Sequence, residues 1–164
     1  MDLPVEANLW GETTFEEKGR EAVASPMLLS AYDLWVTNLR GRTLPSRADF
    51  DPVDMPKLLP HIILVDVENP GPRLRVRLSG TNVVNVFGGD YTGQYLDEID
   101  FGDARQKILH DYIFAVDAKR PLFSDHKFRR LSGTYLNIER VILPLSDNDD
   151  SVNILMAVLS FFKA

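Results

Sequence analysis

The sequence predicts an α+β domain with a five-stranded, mostly antiparallel sheet, short helices on one face and an N-terminal helix on the other. Three patterns carry that prediction. Leu28, Leu29, Tyr32, Trp35, Val36 and Leu39 recur at helical spacing within one stripe. Leu74, Val76 and Leu78 alternate strictly with Arg73, Arg75 and Arg77. The last two extended segments are apolar at both parities, as a strand covered on both faces must be. A chain of 164 residues has room for one such domain.

The elements follow in order. Residues 1–24 are polar, with Leu9, Trp10 and Phe15 scattered among them, and form either a flexible arm or a short helix that docks. Residues 25–164 form the domain. Its first helix, over 26–40, has Ser25 as N-cap, Pro26 at the first helical position and Gly41 just past the end. The connection over 43–60 is rich in Pro and Asp; Asp51-Pro52-Val53-Asp54 reads as a capped turn, and Phe50, Leu58 and Leu59 plug one end of a core. Strands over 62–67 and 73–79 flank the turn Glu68-Asn69-Pro70-Gly71-Pro72, so the second strand presents one apolar face and one row of guanidinium groups. Two short helical pieces, around 81–87 and 95–99, are broken by Gly88-Gly89 and Gly93. These glycines suit a helix end with positive φ and a tight reversal, and their spacing matches no phosphate-binding loop. A longer helix over 103–118 aligns Ile108, Leu109, Tyr112, Ile113 and Val116, and must stop before Pro121. Strands over 122–131, 135–145 and 152–162 complete the chain, separated by Ser132-Gly133-Thr134 and an acidic loop over 147–150.

Composition narrows the function. Eighteen basic against twenty-four acidic residues leave a net charge of −6, so the basic face of a nucleic-acid binder is missing. There is no cysteine, which removes disulfides, thiolate metal sites, Cys nucleophiles and thiol-tethered cofactors. Asp2 and Glu6 stand where a secretion signal needs positive charge. The longest apolar run, Ile154 to Phe162, falls far short of the about twenty residues of a membrane span. A cytoplasmic location is expected.

Taken in order, these segments resemble PAS domains, and in particular a stand-alone bacterial PAS-like family. The resemblance rests on RVRLSGTNVVNVFGGD, YTGQYLDEI and DFGDARQKI, and on the preceding helix with Trp35 and Arg40-Gly41, the LPSRADFDP connection and LLPHIILVDV as first strand. It covers residues 26–162. It implies the strand order 2-1-5-4-3 and a sensory or adaptor role, not catalysis. It also implies a module with no output domain of its own, which signals through an unidentified protein partner. A homodimer is expected to use the first helix through Leu28, Tyr32, Trp35 and Leu39.

The resemblance also sets which cofactors to weigh. The absence of Cys excludes a covalent flavin adduct and a thioester-linked chromophore. Haem is disfavoured, because His110 on the long helix lies about 120° from the centre of its apolar stripe. That leaves a non-covalent apolar or aromatic small molecule, or no ligand, and no metal. On the third strand Ser124, His126 and Phe128 share the inward parity. With Phe87, Tyr95 and Tyr112 they outline a candidate cavity, the alternative being a core those aromatics simply fill. The competing function is a small enzyme using an acid–base pair drawn from His61, His126, Asp66, Asp125 and Glu139. Against it, Asp125 and His126 are strand neighbours that point to opposite faces, and Asp66 is expected to pair with Arg75 or Arg77.

Overall fold

Strands β1 (Thr13–Lys18), β2 (Ile62–Glu68), β3 (Arg73–Ser79), β4 (Leu122–Arg129), β5 (Tyr135–Leu145) and β6 (Ile154–Lys163) form one sheet in the order β1-β4-β5-β6-β2-β3. Every neighbouring pair is antiparallel. The computed structural model describes residues 13–101, 104–129 and 135–163, with side chains described for 18–101, 104–126 and 136–161. Counted from β2, the five strands have the order 2-1-5-4-3, as expected.

The parity of β5 sorts the rest of the molecule. Glu139, Val141 and Leu143 face helix α1 (Pro26–Thr37), whereas Ile138, Arg140 and Ile142 face helices α2 (Thr81–Phe87) and α3 (Arg105–Ala118). Helix α1 buries Leu28, Ala31 and Trp35. Its Trp35 indole Nε1 donates to the Pro144 carbonyl at 2.8 Å, and the Tyr32 ring meets Phe123 with centroids 5.4 Å apart. A central strand sandwiched this way must be apolar on both sides, which is why β5 and β6 show no alternation. Helix α3 buries Ile108, Asp111, Tyr112 and Ala115 on one stripe. Among the described residues no helix is long and apolar enough to cross a membrane.

The structure departs from the sequence reading in four places. Residues 13–18 of the expected arm are a sixth strand on the free edge of β4, with Thr13 opposite Phe128 and Lys18 opposite Phe123; residues 1–12 lie outside the described residues. The six residues TTFEEK carry too little apolar alternation to read as a strand, and it is the open β4 edge that orders them.

Helix α1 ends at Thr37, with Asn38 as its cap, and Gly41 (φ 80°) lies beyond a short non-helical stretch. Ser25 makes no side-chain cap. Instead the Ala24 and Ser25 N–H groups donate to Glu139 at 2.8 and 2.6 Å, so a carboxylate from β5 satisfies the start of the helix.

The strict alternation of β3 is broken. Leu64 pairs with Leu78 and Val65 with Val76, leaving Arg77 as the extra residue of a β-bulge. Leu74 and Val76 are buried as expected, but Leu78 turns to the opposite face and stays 44% exposed. The extra residue resets the two-residue period, so the apolar face and the guanidinium row do not run the length of the strand.

Smaller expectations match. Asp51 accepts from the Val53 N–H at 2.9 Å and caps the Pro52–Asp54 turn. Gly88 ends α2 at φ 71°, and Gly93 turns at φ 91° so that its N–H reaches the Val76 carbonyl. The expected turn at Ser132-Gly133-Thr134 lies outside the described residues.

Candidate functional site

Between α2, α3 and the sheet lies a cavity of about 50 Å³, room for roughly three to five waters at about 10–15 Å³ each. Its walls are apolar: Val76 and Leu159 from the sheet, Val83 and Phe87 from α2, Leu96 and Ile108 from the segments that follow. Tyr91, Tyr112, His126 and Arg140 also line it.

The polar end is built on β4 and β5. Ser124 stands directly opposite Arg140 in the antiparallel register, with His126 two residues on, so all three project to the α3 side. Asp111 lies three residues after Ile108 and four before Ala115, which puts it on the inward stripe of α3. Arg140 is 2% exposed and Asp111 3%. The Arg140 guanidinium donates to Asp111 Oδ2 at 2.6 Å and, through Nε, to Ser124 Oγ at 3.2 Å, and its centre stands 5.2 Å from the Tyr112 ring centroid. Lys107, one turn before Asp111, reaches its other oxygen at 2.8 Å from the solvent side. Ser124 Oγ and His126 Nε2 are 3.3 Å apart.

These placements set the protonation states. Burial, then Arg140 and Lys107, push His126 well below its ordinary value, so it is neutral at neutral pH. Burial also raises the Tyr112 phenol, against the opposing pull of Arg140. Tyr91 is raised by burial and by nearby Asp100. Among the described residues, nothing hydrogen-bonds the buried Tyr91 hydroxyl.

Of the candidate cavity residues, Phe87, Tyr112 and His126 line the space, and Phe87 packs edge-on against Phe161 with centroids 5.5 Å apart. Tyr95 does not line it. Its hydroxyl donates to Glu68 Oε1 at 2.7 Å and its ring lies 3.6 Å under the Arg73 guanidinium, because an isolated bridge from Arg75 holds it beside the edge strand. The Phe128 side chain lies outside the described residues. Arg140, Asp111 and Tyr91 were not among the expected site residues. The available signal was an arginine at the inward parity of an apolar strand together with an aspartate in phase with the α3 stripe.

The expected interface residues are largely spent within the chain. Leu28 and Trp35 are buried in its own core, so neither is available to a second subunit, while Tyr32 and Leu39 keep partial exposure. His110 is exposed on α3. No acid–base pair is assembled from the expected residues: His61 Nδ1 contacts the Asn82 amide at 3.1 Å, Asp66 pairs with Arg77 at 2.8 Å, and Glu139 lies on the sheet face opposite His126. Asp125 pairs with Lys18 at 2.9 Å.

A five-stranded antiparallel core in the order 2-1-5-4-3, with helices over a small cavity on one face, defines the sensory PAS class of domain. The PAS domain family model matches residues 23–160, and the chain belongs to that family. Solved structures agree in fold. A Light-Oxygen-Voltage domain studied with a flavin analogue shares 10% identity, with 68% of this chain and 83% of that one covered at a TM-score of 0.52. The PAS domain of a protein from Colwellia psychrerythraea shares 14%, with 69% and 98% covered at 0.50. The Vibrio cholera VqmA–ligand–DNA complex shares 10%, with 66% of this chain and 49% of that one covered at 0.53. No curated protein matches the sequence.

The cavity is small, about 50 Å³, and no Cys is present for a covalent flavin adduct.

Proposed function

We propose that this chain is a sensory PAS module that takes a compact, non-covalent ligand between α3 and the sheet and reports it by contact with another protein. One observation carries the reading. An apolar cavity converges on a few buried polar groups, and one of them, the Tyr91 hydroxyl, has no protein partner among the described residues. A buried hydroxyl left unbonded costs about 1–3 kcal/mol, which a ligand or water with a matching group recovers.

The cavity size favours a ligand of few non-hydrogen atoms. Arg140 is paired with Asp111 at 2.6 Å, the second cation on that carboxylate, Lys107, lies on the solvent side, and His126 is neutral, which favours an uncharged molecule over an ion. Native mass spectrometry of freshly purified protein tests the reading. It predicts an added small mass that dissociates on activation; the bare chain mass in every charge state would overturn the ligand assignment and leave the family untouched.

A homodimer belongs to the same reading, built on what α1 leaves outside its core: Tyr32, Leu39 and Val36, which is exposed. Light scattering on the full chain tests it. Val36→Glu is expected to weaken a dimer, and a monomer at all concentrations would contradict it.

A further inference from the structure

We infer that residues 89–99 form a lid over the cavity, hinged at glycines and latched from outside to the edge of the sheet by Arg73. The segment has two sides. Tyr91, Leu96 and Ile99 point inward as cavity wall and are buried. Tyr95, Asp97 and Glu98 face outward, toward β3. The Arg73 guanidinium donates to both Asp97 oxygens at 3.1 Å, stands 3.3 Å from Glu98 and covers the Tyr95 ring. Glu68, at the end of β2, accepts from the Tyr95 hydroxyl. The guanidinium row of β3 thereby acquires a task. Arg73 and Arg75 grip the lid, Arg75 through the Gly93 carbonyl at 3.1 Å, whereas Arg77 pairs with Asp66 of β2.

The strength of each attachment decides which wall opens. Helix α3 is tied to the sheet by the buried Arg140–Asp111 pair, and a buried pair is costly to separate. Helix α2 is held by Phe87 against Phe161 and by the Gly80 N–H, which donates to the Ile62 carbonyl at 2.7 Å. The side chains of the lid's ion pairs, by contrast, are between 43% and 61% exposed. Exposed pairs are individually weak and are screened by salt. Beneath them the Gly93 N–H donates to the Val76 carbonyl at 2.8 Å, and the Val76 N–H to the Gln94 carbonyl at 2.9 Å. Gly88 (φ 71°) and Gly93 (φ 91°) place left-handed bends before and within the lid. A segment held this way opens locally before the domain unfolds, and its opening uncovers the α2 wall. The lid governs access to the cavity, occupied or empty, so a bare chain mass in native mass spectrometry leaves it standing.

Thiol labelling of the full chain tests it, because the sequence has no cysteine of its own. Val83→Cys places a single thiol on the α2 wall of the cavity, and its reaction with methyl methanethiosulfonate in native buffer reads how often that wall is uncovered. Adding Arg73→Ala should speed the labelling about threefold to fivefold. Raising salt from about 0.05 to 0.5 M should speed it in the presence of Arg73 and leave the Arg73→Ala form unchanged. Arg77→Ala removes an ion pair from the same strand and should change nothing. Ala31→Cys, buried under α1 on the other face of the sheet, reports global unfolding and should label at the same rate with and without Arg73. Ile108→Cys, on the α3 wall, takes the place of Val83→Cys if that variant does not fold. Cavity labelling that ignores Arg73→Ala or salt, that responds equally to Arg77→Ala, or that is matched by a faster Ala31→Cys reaction would overturn the inference.

Discussion

Arg140 and Asp111 form a buried ion pair, 2.6 Å between guanidinium and carboxylate, that ties the middle of β5 to the inward stripe of α3. It joins the cavity's helical roof to its floor by a charged contact.

Removing Asp111 leaves the buried Arg140 charge without its carboxylate, and removing Arg140 leaves the buried Asp111 only Lys107 on its solvent side. Asp111→Leu or Arg140→Met should each cost about 3–5 kcal/mol in urea unfolding, whereas the double variant should recover much of that loss. Single losses that simply add in the double variant would show the two residues to be energetically independent.

His126 makes stability depend on pH in a defined window. Its folded value lies well below the ordinary one, chiefly through burial, so the unfolded chain binds a proton that the folded chain refuses. Stability should therefore fall as pH drops below about 6.5 toward the folded value. Thermal melts between pH 7.5 and 5, taken on the unmutated chain and on His126→Phe, should show this slope in the first and lose it in the second.

Glu139 acts at more acid pH. Burial pushes its carboxyl up, but the Ala24 N–H, Lys18 and the Ser25 N–H outweigh burial and hold it below the usual carboxylate range. The stability it contributes is present above the unfolded value and is lost as pH falls through the depressed folded value. Glu139→Gln should remove this acid transition and loosen the start of α1, since Ala24 and Ser25 donate to different oxygens of Glu139 and an amide NH₂ in place of either one cannot accept. Circular dichroism across an acid titration would show a transition unchanged by the substitution if Glu139 were not its source.

The bulge at Arg77 separates two leucines that the sequence pattern treats alike. Leu74→Ala should cost about 2–5 kcal/mol, and Leu78→Ala, at a position 44% exposed, about 1 kcal/mol or less. Equal losses in denaturant unfolding would mean that Leu78 faces the core.

The helices and the five core strands were legible because periodicity reports which face is buried, and β5 and β6 even announced their double cover. Leu78 was misread because a bulge changes the pairing by one residue without changing the apolar–charged alternation that the sequence displays. Strand β1 was missed because its order comes from a neighbour's open edge, not from its own residues. Within the cavity walls, Phe87, Tyr112 and His126 stand where strand and helix phase put them. Tyr95 was misplaced because nothing local shows that its segment bridges to Arg75 outside the cavity. Arg140 and Asp111 were overlooked because each alone looks like an ordinary surface charge, and only the register that sets Arg140 under α3 makes them a pair.

The ring of His126, on the wall of the cavity between α3 and the sheet, is the most direct reporter of a molecule bound there. Long-range proton–nitrogen NMR would compare the imidazole signals of protein as purified with those of protein stripped of bound molecules by unfolding and refolding. The prediction is that the His126 signals differ between the two samples while those of exposed His110 coincide. Superimposable His126 signals in both samples would contradict a sensing role for the cavity.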